Sequence, residues 1–334
     1  MTADKSITET EIRQVLAPVT GDRLASLRLG AEATVIVLEV GGLDQLGRDR
    51  LEIGVRDALR TMDLPPLRIA QMADREGADE EKRGPVIVAV GSGKGGVGKS
   101  TVSANLAIAM ARSGVKVGLV DADIYGPSQP RLMASEGERP QARDKQLIPV
   151  QTRFGVPMLS MGHLAEPGQA IAWRGPMAGN ALAQLIEADW GDADVLVVDL
   201  PPGTGDVQLT MIQRFKPAGA VIVSTPQDLA LMDATRAIGL FDKAGVPIIG
   251  MVENMAGYIC PHCGEESDPF GSGGAEAAAG TMGYAFLGRI PLTIDIRTRS
   301  DAGRPPAADD GPIADRFADI ARQVLDGVGM TVAA

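Results

Sequence analysis

Gly93-Lys94-Gly95-Gly96-Val97-Gly98-Lys99-Ser100-Thr101 satisfies the spacing G-x-x-x-x-G-K-[ST] between a strand-like and a helix-like segment. Glycines in that pattern let backbone N–H groups close around phosphate oxygens, and the helix that follows presents its positive end to them. Lys99 is spaced to reach the β- and γ-phosphates, and the Ser100 hydroxyl to ligate Mg²⁺. Asp199 ends the apolar run Val195–Val198 and opens Asp-Leu-Pro-Pro-Gly-Thr-Gly-Asp, a placement that suits an acid holding Mg²⁺ through water, with a Gly-containing switch behind it. Asp121 and Asp123 close a second apolar run; Asp121 is either a strand-end cap or part of the site, and Asp123 is read as functional. No [NT]-K-x-D guanine-reading sequence occurs, which favours ATP over GTP. Asn254 either bonds the adenine edge, since an amide offers donor and acceptor together, or caps its strand.

A second constellation is Cys260-Pro261-His262-Cys263, which contains the only two cysteines of the chain. This spacing lets both sulfurs face one metal, but two thiolates are too few for structural Zn²⁺ or an iron–sulfur cluster, each of which normally takes four protein ligands. The only other histidine, His163, is about a hundred residues away and reads as structural. A two-fold dimer with the pair near its axis brings four thiolates to one point. The same tetrapeptide is also a dithiol redox motif in which the first Cys opens a helix. Here the pair is followed by Gly-Glu-Glu-Ser-Asp-Pro-Phe-Gly, which is loop composition, and metal or cluster binding is the preferred reading. His262 either tunes such a site or is simply exposed.

These residues need a scaffold that gathers strand ends. Buried-type strands around VIVAV, VGLV, VLVV, AVIVS and IIGMV alternate with helical segments, which predicts an α/β fold with a doubly wound, mostly parallel sheet over residues 86–334 and ligands at the carboxyl ends of its strands. Before it, residues 1–72 read helix, strand, strand, helix, strand, a small α+β domain, with Ile12, Val15, Leu16 and Val19 on one helical stripe and Leu51, Val55, Leu59 and Met62 on another. The charged stretch at 73–85 reads as a linker.

The 334 residues give room for two domains, and a hydrophobic share of 45% against 22% charged excludes wholesale disorder. A net charge of −11 argues against nucleic acid or an anionic membrane as a partner. No apolar run approaches the length of a spanning helix, the first residues lack a secretory h-region, and two closely spaced cysteines do not make a disulfide framework; a cytoplasmic, reducing setting is expected. The stripe Ile313, Phe317, Ile320 and Val324 lacks a basic face and reads as core rather than membrane anchor.

Lys94, five residues before Lys99, resembles the signature lysine of the deviant phosphate loop K-G-G-x-G-K-[ST] of MinD-like ATPases. That resemblance implies a reach across a face-to-face dimer for Lys94 and the orientation of attacking water for Asp123. GKGGVGKST, DADIYGPSQP, AWRGPM, DLPPGTGD and VENMAGYICPHCG together, in this order, resemble the Mrp/ApbC family of iron–sulfur cluster carrier ATPases. The resemblance implies a homodimer with a labile bridging [4Fe–4S] cluster on Cys260 and Cys263, ATP at each phosphate loop, and transfer of the cluster to apo iron–sulfur proteins in concert with assembly factors. Residues 1–72 are similar to the small SufT/PaaD-type domain fused to bacterial members, although its D-P-E-L turn stands here as Thr20-Gly21-Asp22-Arg23-Leu24 and it has no Cys. A docking role and a purely structural one remain open for it. Two competing functions keep the phosphate loop: a ParA/MinD-like positioning ATPase, which requires a basic surface or a membrane-seeking helix, and a zinc-bridged dimeric ATPase without cluster chemistry.

Overall fold

The computed structural model describes residues 8–30, 33–41, 43, 45–72, 84–144, 146–164 and 176–330. The linker reading at 73–85, apart from its last two residues, and Trp173, Arg174 and Gly175 of AWRGPM lie outside them, as do residues 1–7. The chain divides into two compact units, Met1–Arg83 and Gly84–Ala334.

In the first unit, α1 (Glu9–Thr20) starts at a capping box, in which the Thr8 hydroxyl accepts the Glu11 N–H and the Glu11 carboxylate accepts the Thr8 N–H at 2.9 Å. Strands β1 (Leu24–Leu29) and β2 (Thr34–Glu39) pair antiparallel, and α2 (Gln45–Leu59) crosses over to β3 (Leu67–Met72), parallel to β2. Ile12 and Leu16 pack with Ile36, Leu38, Val55 and Leu59. Val15 and Val19 remain 38% and 37% exposed, because a three-stranded sheet does not cover the whole width of the α1 stripe.

The second unit runs β4 (Val86–Gly91), α3 (Lys99–Arg112), β5 (Val117–Asp121), α4 (Gln129–Leu132), a hairpin of β6 (Gln141–Arg143) and β7 (Gln146–Ile148), β8 (Met158–Ser160), α5 (Met161–Leu164), α6 (Pro176–Ile186), β9 (Val195–Asp199) and α7 (Asp206–Thr210). It continues through β10 (Gly219–Ser224), α8 (Asp228–Lys243), β11 (Ile248–Ile259), β12 (Glu266–Ser267), α9 (Gly274–Met282), β13 (Phe286–Leu292), α10 (Ile294–Asp301) and α11 (Pro312–Gly327). The strand order is β12-β11-β10-β4-β9-β5-β8, with β13 beside β11; among the described residues its strand pairings are parallel except β11–β12, with an antiparallel bridge from Val150 to Met158 of β8.

The continuous apolar runs have a physical reason. Alternate residues of a strand face opposite sides, and both sides of this sheet are covered by helices. Val88, Val90, Leu119, Val195 and Val197 pack with Leu106 and Met110 of α3 and Phe317 and Val324 of α11. Ala89, Val120, Leu196 and Val198 face Leu182 of α6 and Ile238 and Phe241 of α8. The unit is thus a doubly wound α/β sheet, and α11 buries its apolar stripe in the core. Among the described residues, no helix is long and apolar enough to cross a membrane.

Candidate functional site

The carboxyl ends of β4, β5 and β9 converge on the loop 92–98, which enters α3 at Lys99. Glycine is obligatory at two points of this loop. A Cβ on Gly93 would lie 2.0 Å from the Asp233 backbone of α8, and one on Gly98, which has φ +81°, would lie 2.1 Å from Asn254 Nδ2. The first turn of α3 has no side-chain cap, so its N–H groups stay available to an anion. Residues Lys94–Thr101 line a cavity of about 310 Å³ together with Asp123, Ser128, Arg131 and Asp301.

Asp199 lies beneath this cavity, fully buried. Its Oδ1 accepts from Lys99 Nζ at 2.5 Å and from Ser103 Oγ at 2.8 Å, and its Oδ2 accepts from Gln129 Nε2 at 2.9 Å. The Lys99 ammonium is also 3.4 Å from Ser100 Oγ. Lysine and acid are buried together as a neutralised, hydrogen-bonded pair, the form in which charges are tolerated away from water. The aspartate read as a metal holder, the loop lysine and the loop serine therefore form one cluster, with oxygen donors of the kind Mg²⁺ takes.

Asp121 is fully buried beside them. It accepts the backbone N–H groups of Asp123 and Gln129 and the Ser160 hydroxyl, so it shapes the chain that leaves β5. Burial first, and then the Asp199 charge, push its carboxyl up to about 7. Asp123 reaches the cavity rim, where its carboxylate accepts the N–H groups of Tyr125 and Gly126. The switch-like stretch behind Asp199 is tethered: Gly203 N–H donates to the Ser92 carbonyl, and Gln208 spans from Gly205 N–H to the Pro201 carbonyl.

Asn254 is buried against the loop, its Nδ2 donating to the Val97 carbonyl at 2.8 Å. In this arrangement the amide braces the phosphate loop. Beyond it β11 turns through Met255 (φ +59°) and Gly257 (φ +73°) and runs on to the cysteine pair. The preceding Glu253, also buried, is gripped by the N–H groups of Gly273 and Ala275 at the start of α9 and by Arg289 of β13.

Cys260–Glu265 forms the tip between β11 and β12, closed by Cys260 N–H to the Glu265 carbonyl and Gly264 N–H to the Cys260 carbonyl, with Gly264 at φ +74°. Both thiols are free; Cys260 is half-buried and Cys263 exposed. The N–H groups of Cys263 and His262 turned towards the Cys260 sulfur hold that thiol below its usual range. His262 is exposed. Among the described residues, no group of three or more His, Cys, Asp or Glu is placed to hold a metal ion; the chain's two cysteines are the pair in this tip. His163 is buried in α5 with its Nε2 3.3 Å from Ser135 Oγ, and burial lowers its pKa.

The fold thus assembles Lys99, Ser100, Asp121, Asp123 and Asp199 at one site, places Asn254 behind it, and sets Cys260 and Cys263 in the tip that follows the same strand. The sequence reading omits Ser103, Gln129 and Ser160. Ser103 has a signal, a polar residue one turn after Lys99 on the same helix; Gln129 lies within DADIYGPSQP, but its partners are fixed only by tertiary contacts, and Ser160, in a three-residue edge strand, carries no periodicity.

The family model of the NUBPL iron-transfer P-loop NTPases, of the ParA group, matches residues 85–325. A protein of Pseudomonas fragi named iron-sulfur cluster carrier protein is 49% identical over 73% of this chain and 86% of its own. A namesake from Haemophilus influenzae is 41% identical over 90% of this chain and 84% of its own. A nucleotide-binding protein of Archaeoglobus fulgidus solved with ADP superposes at a TM-score of 0.60 with 41% identity, covering 70% of this chain and 90% of that one. MinD of Pyrococcus horikoshii, at 24% identity and a TM-score of 0.55, shares the fold. With its phosphate loop, buried acid and free cysteine pair in the matched region, the chain belongs to the family of NUBPL-type iron-transfer P-loop NTPases, the iron–sulfur cluster carriers.

Proposed function

We propose that this protein is an ATP-hydrolysing carrier whose cargo is a [4Fe–4S] cluster bridging two copies of the chain, handed on to apo iron–sulfur proteins. The observation that carries the reading is the path of β11: Asn254 braces the phosphate loop, and Cys260 follows six residues later on a tip with two free thiols. Two thiolates per chain and four per cluster require a homodimer. In this reading Lys99 turns from Asp199 to the phosphates, Ser100 and Asp199 hold Mg²⁺, Asp123 at the rim orients water, Asn254 stands at the base, and Lys94 faces the nucleotide of the second copy. Mg²⁺ supplies charge neutralisation for the phosphates. Asp199 and Asn254 lie at the loop's two supports, so nucleotide state is transmitted to the thiols through β11 and shifts how firmly they hold the cargo.

Anaerobic reconstitution with iron and sulfide, read by visible absorption, metal analysis and size, tests the reading. About four iron and four sulfide per dimer are expected, lost in Cys260→Ala and Cys263→Ala while nucleotide binding persists. A full cluster on either variant, a cluster on a strict monomer, or zinc as the only tightly held metal would overturn it.

A further inference from the structure

Gln129, the first residue of α4, is fully buried, and its side chain ties together the groups assigned above to phosphate and metal. Its Nε2 donates to Asp199 Oδ2 at 2.9 Å and to the Ser100 carbonyl at 2.9 Å, while its backbone N–H donates to Asp121 Oδ2 at 3.1 Å. Both neighbours of the amide nitrogen are acceptors, so the orientation is decided: the reversed amide would set oxygen against a carboxylate and a carbonyl. The carbonyl end, Oε1, is then left buried with no hydrogen-bond donor among the described residues.

The amide nitrogen is well used on Asp199 and Ser100, but an orphaned buried acceptor at the other end of the same side chain is costly. Its presence beside Asp199 and Ser100 makes sense if a donor arrives with the ligand. A Mg²⁺ ion at Ser100 and Asp199 brings water molecules, which are strong O–H donors. When Lys99 turns to the phosphates, Asp199 loses its cationic partner and keeps Ser103 and Gln129.

We propose that Gln129 is the positioning residue of the metal subsite: its Nε2 fixes Asp199 and the Ser100 backbone, and its Oε1 accepts from a metal-bound water. The proposal rests on the reading of the cavity as a Mg²⁺-nucleotide site. Groups that orient metal-holding residues in this way carry 10- to 100-fold of metal affinity as an order of magnitude.

The test uses the full chain, with Mn²⁺ as the probe. Fluorescent ADP is titrated in EDTA, and Mn²⁺ is then titrated into the ADP complex with free ion read by EPR, for wild type, Gln129→Met and Gln129→Asn. Metal-free ADP affinity within about threefold of wild type and Mn²⁺ affinity weakened about 10- to 100-fold are expected for Met, with Asn also weakened. Unchanged Mn²⁺ affinity with only a lowered melting temperature, or loss of metal-free ADP binding, overturns the proposal. If Gln129→Met does not fold, the Asn variant decides by the same criteria. Failure of the wild type itself to bind ADP sinks the site assignment instead, a separate outcome.

Discussion

Asp199 and Asp121 sit side by side out of water, but their situations differ. Asp199 faces an ammonium, while Asp121 is met only by neutral donors. Removing the lysine leaves Asp199 as an uncompensated buried charge, so Lys99→Ala is expected to destabilise the nucleotide-free protein by about 3–5 kcal/mol. Asp199→Asn in that background should return most of the loss. Denaturant titration of the two single variants and the double variant checks this, and additive losses would contradict it. For Asp121, the unfolded carboxyl releases its proton near its ordinary 3.8 and the folded one near 7, so the folded state holds the extra proton between those values. Raising the pH across that window therefore costs stability through this group, and the cost is complete above the folded value. The stability of Asp121→Asn relative to wild type should rise steadily from pH 4 to pH 7, measured by unfolding midpoints at fixed ionic strength; a flat or falling difference would refute the assignment.

At the scale of elements, β11 spans more functions than any other. Its first half is sheet core, its middle braces the phosphate loop, and its end leads directly into the tip with the thiols. Glu253 anchors the strand where core gives way to site, with α9 on one side and Arg289 on the other. Glu253→Ala would leave the Gly273 and Ala275 N–H groups without their acceptor while Arg289 keeps Glu276, and a loss of about 1–3 kcal/mol is expected. Because the tip follows seven residues on, maleimide labelling of Cys260 and Cys263 should also accelerate in this variant; unchanged stability and labelling would show that the anchor is idle. The left-handed Met255 and Gly257 account for a register that sequence periodicity does not carry: β11 loses its pairing with β13 between Asn254 and Tyr258.

For the whole molecule, a site that binds ligand only when folded converts occupancy into stability. ADP with Mg²⁺ at a hundred times its dissociation constant contributes about 2.7 kcal/mol. For a unit the size of Gly84–Ala334 this is a rise of about 5–10 °C in melting temperature. Lys99→Ala should show almost none of it, and an equal shift in that variant would place the nucleotide elsewhere.

The phosphate loop, the alternation of buried strands and helices, and the cysteine pair were legible in the amino-acid order because each is a local pattern: glycine spacing, hydrophobic period and ligand count follow from neighbours along the chain. The acid–lysine pairing across a hundred residues, the hydrogen bond from Asn254 to Val97, and the place of Gln129 depend on which strands lie side by side and on which loops meet at their ends. So do the flanking strands β8, only three residues long, and β13, whose apolar run is interrupted by Gly288, Arg289 and Pro291. Local propensity is a property of a segment, whereas the desolvation that raises Asp121 and orphans the Gln129 carbonyl exists only once distant segments have closed over them.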